Sequence, residues 1–392
     1  VLILNKTILI SNVAIANAKT ESRMADLFLE GGKIAEIGES LSREADFHID
    51  GNRKNWVVMP GFIDVHIHGS SGFDTMDATS EALNGLASSL PREGTTSFLA
   101  TTMTQSDEAI SKALQTASAF QADEQQAEML GVHLEGPFIS PEMAGAQPLE
   151  YIMAPSLSLF EKWQDLSGKR IKQVTIAPEV DHNMEFIRTL SADGVVASIG
   201  HSNASFEKVQ EAIAAGAKQV THLYNQMSPF HHRNPGVVGA AFLEEGLAVE
   251  LIADFVHSHQ QSVRLAYQQI GASRLILITD AMRAKGLAPG TYDLGGQDVQ
   301  VSERDARLPN GALAGSILTM ETAAKNVKAI THCTWPELAA MTSANAATQL
   351  GLENKGVIAA GKDADLVILD GDANVLLTIC RGNIAYAKEE LQ

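Results

Sequence analysis

The chain has 392 residues, 45% of them apolar and 19% charged, an ordinary globular composition that suits one large barrel or two to three smaller units. Its 47 acidic residues against 29 basic ones give a formal net charge of −18. That balance speaks against nucleic acid or an anionic membrane surface as a partner, while an anionic substrate can still be held by a few local donors.

Residues 1–58 read as short strands. LILNKTILISNVAIANA and ADLFLEGGKIAEIG alternate around turn signals such as Gly31-Gly32. The opening Val1–Ala16 lacks a basic leader and a small-residue cleavage site, and no run of about 18 apolar residues suggests a membrane span. The C-terminal stretch, GVIAAGKDADLVILDGD and VLLTICRGNIAYA, has the same strand character. Neither end buries a core alone, so residues 1–58 and 351–392 are expected to pair into one small β-sandwich domain.

Residues 59–350 have a different rhythm. Eight β-rich runs occur in order: VVMPGFIDVHIH, TTSFLATT, EMLGVHLEGP, QVTIAPEV, VVASIGH, QVTHLYN, AVELIADFVH and LILITDA. Between several lie segments with i, i+3, i+4, i+7 spacing: Leu83, Leu86, Ala87 and Leu90; Ile110, Ala113, Leu114 and Ala117; Val263, Ala266, Tyr267 and Ile270. Repeated strand and helix implies a parallel sheet, and eight such units predict an α/β fold of the (β/α)8 barrel type. A doubly wound open sheet is the alternative; no GxGxxG follows an early strand to support it.

The polar residues stand where the apolar runs stop. The first run ends in His66-Ile67-His68, the third in His133-Leu134-Glu135, and the fifth to eighth in His201, His222, His257 and Asp280. In a barrel, strand C-termini converge on one mouth, so these residues would share a pocket. His66 and His68, two apart on a strand, face the same side. Neutral imidazoles suit zinc, iron and related ions, and carboxylates add compensating charge. A lone His at a strand end is commonly structural and a lone Asp commonly a cap; it is their joint placement that points to a divalent metal site. Asp280 then fits a general base and acid beside activated water, because an amine leaves an amide only once protonated.

With those residues in place, the sequence resembles the N-acetylglucosamine-6-phosphate deacetylases of the amidohydrolase superfamily. The similarity spans essentially the whole chain, through MPGFIDVHIHG (59–69), HLEGPFI (133–139), IGHSNA (199–204), THLYNQM (221–227), NPGVVGAAF (234–242), ITDAM (278–282) and LAGSILTM (313–320). The resemblance implies that Glu135, His201 and His222 are metal ligands, that His66 and His68 permit a second ion, and that Asp280 is the catalytic acid and base. It also implies that His257 contacts the sugar, that Asn225 and the backbone of Gln226 form a phosphate-binding turn, and that Arg233 reaches the phosphate in a neighbouring subunit of a homodimer. The expected cofactor is one or two divalent ions per subunit, zinc first and iron second. The expected substrate is an amino-sugar phosphate, with no nucleic-acid or membrane partner.

Two positions depart from that pattern. The loop after HLEGPFI reads Gly145-Ala146-Gln147-Pro148 where the family carries a His; Gln147 would be the donor to the acetyl carbonyl, with Ala146 beside the substrate, and it cannot carry positive charge. Gln226 stands where the family commonly has Ala. Both keep the galactosamine epimer open as a substrate. Other superfamily hydrolases bridge two ions with a carboxylated Lys, and none of the eight strand ends carries one. A sugar-phosphate-binding protein without catalysis is the remaining alternative. His133, Asp64, His231-His232, His182, His259, His332, Met103, Met227 and Met320 are expected to be structural or exposed. Only two cysteines occur, Cys333 and Cys380, outside any CxxC pair. They suggest no disulfide framework, and a reducing cytoplasm is the expected compartment.

Overall fold

The computed structural model describes residues 6–389; Val1–Asn5, the start of the expected first strand, lie outside them. Eight parallel strands form one sheet in strict chain order: Phe62–Ile67, Thr95–Thr102, Glu128–Glu135, Ile171–Ile176, Val196–Ile199, Gln219–Val220, Ala248–Ile252 and Leu275–Ile278. These are the eight runs read from the sequence. The barrel closes where the backbone N–H of Asp280 donates to His66 O at 2.8 Å and that of His68 to Ala281 O at 2.9 Å.

A helix follows each strand. The three segments read from their periodicity become Ser80–Ser89, Asp107–Ala119 and Gln260–Ile270, each turning its apolar stripe to the core. Thr79, Ser106, Ser156, Ser205 and Thr319 accept a backbone N–H from the first helical turn, satisfying donors that helix geometry leaves free.

In these strands, buried on both faces, alternation still separates two environments. Ile63, Val65 and Ile67 join the large apolar core, whereas Asp64, His66 and His68 point to the barrel interior. That interior is polar. Gln173 of the fourth strand and His66 of the first both reach Glu250 of the seventh, so these bonds cross the barrel. His133 Nε2, Thr175, Thr221 and Ser198 continue the network at 2.6–2.9 Å. Asp64 accepts from Thr279 Oγ1 at 2.6 Å and is wholly buried.

The two ends of the chain build one continuous outer sheet of eight strands. Val57–Pro60 runs antiparallel to Leu366–Leu369, joining N-terminal to C-terminal strands. Alternation again divides the faces: Val58, Leu366 and Ile368 pack into the outer sheet's own core, and Val57, Met59, Val367 and Leu369 pack against the barrel. The single run expected at VVMPGFIDVHIH is thus two strands, which divide at Gly61. A Cβ there would come within 2.2 Å of Thr96.

One element was not foreseen. Between the eighth strand and its helix, Gly290–Leu294, Gln297–Val301 and Ala306–Arg307 form a three-stranded antiparallel sheet. Its small core contains Met103, Met282, Leu294, Val299 and Val301, so Met103 is packing, as expected.

Candidate active site

Glu135 is the last residue of the third strand; His201, His222 and Asp280 each stand two residues beyond the fifth, sixth and eighth. His201, His222 and Asp280 have φ of +47°, +31° and +48°. Left-handed backbone outside glycine is costly, on the order of 1–3 kcal/mol per residue, and it turns these side chains from the strand line into the mouth.

The side chains converge on Glu135. Its Oε1 lies 3.2 Å from His201 Nε2, 3.3 Å from His222 Nε2 and 3.3 Å from His66 Nε2, and its Oε2 lies 3.1 Å from His68 Nε2. His201 Nε2 and His222 Nε2 are 3.1 Å apart. Asp280 Oδ1 is 3.5 Å from His66 Nε2 and 3.3 Å from His68 Nε2. Two groups of mutually close donor atoms result: Glu135, His201 and His222; and His66, His68 and Asp280.

The first group fits a tetrahedral cation. Bonds of about 2.0–2.1 Å place ligand atoms about 3.3 Å apart, close to the three separations within Glu135, His201 and His222. His201 Nδ1 lies 2.8 Å from the carbonyl of Met143 and so donates its hydrogen there, leaving a lone pair on Nε2. His66 Nε2 is buried without a hydrogen-bond partner. Charge makes the same demand. Burial opposes ionisation of Glu135, but His66, His201 and His222 outweigh it and hold its carboxyl well below the usual range. Asp280 is buried too, and His66 and His68 likewise hold it low. In turn burial would strip His68 of its proton, yet Asp280 and Glu135 push its pKa up to about 10. A pocket this anionic takes positive charge either as protons on its imidazoles or as a metal ion.

A narrow cavity of about 60 Å³ opens over these groups. His257, Asn225, Gln226, Ala146 and Gln147 line it with them, and Met103, Leu294 and Leu313 supply apolar wall. His257 Nδ1 donates to Asp254 Oδ2 at 2.7 Å, which turns Nε2 toward the cavity as an acceptor. Asn225 Nδ2 donates to the carbonyls of His222 and Leu223, closing the turn in which Gln226 has φ +47°. Gln147 is held at both ends: Oε1 accepts from Thr104 N and Nε2 donates to Glu135 Oε2, each at 2.8 Å. One amide hydrogen remains for a ligand. Gln226 packs on Gly145, where a Cβ would lie 2.8 Å from it, so the two departures noted in the sequence sit on touching loops.

Arg233 is not brought to this cavity. It lies on an exposed loop with Nη1 2.8 Å from His232 Nε2, and His231 stacks on His232. His182, His259 and His332 cap helices at the surface. Five contributors escaped the sequence reading: Glu250, Thr104, Met143, Asp254 and Leu294. A larger groove of about 870 Å³ beside Trp335 and Lys328 holds neither donor group. Among the described residues no helix is long and apolar enough to cross a membrane.

A (β/α)8 barrel whose strand ends gather imidazoles around a glutamate and an aspartate defines a metal-dependent hydrolase of the amidohydrolase type. The Amidohydrolase family profile matches residues 57–385, and the chain belongs to that family, whose members are metal-dependent. It is 50% identical over 379 residues to the N-acetylglucosamine-6-phosphate deacetylase of Lysinibacillus sphaericus, covering 96% of this chain and 97% of that one. Among solved structures, the N-acetylglucosamine-6-phosphate deacetylase of Thermotoga maritima superposes with a TM-score of 0.87 at 37% identity, covering 97% of this chain and 100% of that one. A mutant of the Mycobacterium smegmatis deacetylase in complex with N-acetyl-D-glucosamine-6-phosphate superposes at 0.90 with 29% identity, covering 98% and 100%.

Proposed function

We propose that the chain hydrolyses the N-acetyl group of N-acetylglucosamine 6-phosphate, releasing acetate and glucosamine 6-phosphate. The observation that carries this reading is the tetrahedral spacing of Glu135, His201 and His222 beside Asp280, in a chain half identical to a deacetylase of that name. Glu135, His201 and His222 would hold one divalent ion; His66, His68 and Asp280 form a second donor group that Glu135 also touches. Zinc suits the nitrogen-rich set first and iron second. Such an ion polarises the amide carbonyl and lowers the pKa of water toward about 7.

The side chains do the rest. Asp280, kept ionised by His66 and His68, accepts the proton of the attacking water and returns it to the amine nitrogen, so that the amine departs neutral. The free amide hydrogen of Gln147 supports the developing negative charge on the acetyl oxygen. Ala146 lines the acetyl side, and His257 Nε2 accepts a sugar hydroxyl. Asn225 and the Gln226 backbone hold the phosphate in their turn. Arg233, exposed and away from its own cavity, serves the phosphate of a second subunit in a homodimer. The two free, buried cysteines are compatible with a reducing cytoplasm.

Acetate release from N-acetylglucosamine 6-phosphate, compared with the galactosamine epimer, tests this reading. Turnover of the glucosamine substrate should dominate, and Asp280→Asn, which tolerates left-handed backbone, should lower kcat by about 10²–10⁴. A variant within tenfold of wild type would remove Asp280 from the mechanism, and preferred turnover of the galactosamine substrate would replace the substrate. Arg233→Ala should raise KM, and a chain that sediments as a monomer would sink its role across subunits.

A further inference from the structure

We propose that Glu250 is a positioning residue that presents ligands from both donor groups at once, His66 through its ring and His222 through its backbone. Glu250 lies within the seventh strand, fully buried. Its Oε1 accepts from Gln173 Nε2 and from Gln219 Nε2, each at 2.7 Å. Its Oε2 accepts from His66 Nδ1 at 3.0 Å and from the backbone N–H of His222 at 3.3 Å. All four partners are donors. Because Oε2 takes the Nδ1 hydrogen, Nε2 is the nitrogen of His66 that can give up its proton to a cation, and it faces Glu135 Oε1 at 3.3 Å and Asp280 Oδ1 at 3.5 Å. Ligand imidazoles are commonly fixed by such a carboxylate on the far nitrogen, and loss of that partner typically weakens metal binding 10–100-fold.

The glutamine amides explain why an acid is needed. Gln219 Nε2 also donates to Gln173 Oε1 at 2.9 Å, so neither amide can turn over alone without setting like atoms together. With the amides so oriented, the group between them and the His66–His222 pair accepts at both ends, which a carboxylate does and a carboxamide does not. Glu250→Gln keeps the shape but turns an NH2 either onto the two glutamine donors or onto His66 and His222. Moving the carboxylate one strand away repairs the pattern. In Glu250→Gln with Gln219→Glu, and with the amide of Gln173 turned over, the new amide donates to both neighbours and keeps its oxygen for His66 and His222.

The inference rests on the metal-dependent reading above, and zinc binding separates the two. The chelator-stripped full chain is titrated with zinc against a chromophoric competitor, and melting is followed with and without zinc. Glu250→Gln should bind zinc 10–100-fold more weakly and lose most of the zinc-dependent rise in Tm, and the double variant should recover to within about tenfold of wild type. A merely structural role would lower the zinc-free Tm and leave affinity unchanged. If Glu250→Gln does not fold, the double variant carries the test and must fold and bind. Wild-type affinity in Glu250→Gln, or no recovery in the double variant, overturns this inference alone. A wild-type chain that takes up no zinc overturns the metal-dependent reading with it.

Discussion

Gln147 shows how one side chain serves a site from behind. Its oxygen satisfies the buried N–H of Thr104 and its nitrogen steadies Glu135. Gln147→Leu strands the Thr104 N–H and leaves Glu135 Oε2 to His68 alone, and an unsatisfied buried polar group costs about 1–3 kcal/mol. The chelated variant should therefore unfold at lower urea concentration by that margin, with lower turnover, and unchanged stability would refute the double anchoring. The sequence revealed which histidines and carboxylates the fold would bring together, because barrel topology carries strand ends to one place. It did not reveal Glu250, which lies inside the apolar run AVELIADFVH, where a single Glu carries no periodic signal. Its meaning depends on Gln219 of the neighbouring strand and on Gln173, three strands away, which only the closed barrel brings within reach.

Among the elements, the three-stranded insertion has the clearest link to the site. Its turn is held by Gln105 Nε2 on Gly295 O at 3.0 Å, and Gln297 Nε2 on Ala146 O at 2.8 Å ties it to the loop bearing Gln147. Gln297→Ala cuts that tie without touching a donor group. kcat/KM should fall about tenfold or more while zinc affinity holds, since small displacements of a reacting group can cost up to about 10²-fold. Equal kinetics would show that the loop is held by its own contacts. This insertion was legible in principle: Gly295-Gly296 between TYDL and QDVQV is a hairpin signal. The regular beat of strand and helix on either side masks it. The split at Gly61 was less legible, because apolar residues run across it from Val57 to Ile63 and the change of partner is what divides the run. Gly61→Ala, which overpacks Thr96, should lose about 1–3 kcal/mol in equilibrium unfolding, and a neutral result would mean that the strands part elsewhere.

At the scale of the molecule, the outer sheet and the barrel are joined by charge as well as by apolar faces. Lys355 Nζ lies 2.6 Å from Glu128 Oε2 at the start of the third barrel strand and bonds Asp365, whose Oδ1 accepts from Arg381 N at 2.8 Å. Asp365 is nearly fully buried, so Lys355→Met leaves its charge without a counterion, a change that typically costs about 3–5 kcal/mol. The variant should melt well below wild type, whereas a small shift would mean that Arg381 alone suffices. Both termini were recognisable as strands, but not their order, because the mixed ladder depends on which strand Val57–Pro60 chooses as neighbour.

That ladder has a consequence for synthesis. The strands from Ile8 to Pro60 leave the ribosome before the barrel, and Leu366–Leu369, which covers one edge of Val57–Pro60, leaves after it. While the barrel is being made, Val58 and its neighbours wait beside an open edge, a template for pairing with another nascent chain. Ribosomes stalled before Leu366 would release polypeptides with every residue of both donor groups already made and a sticky seam along one side.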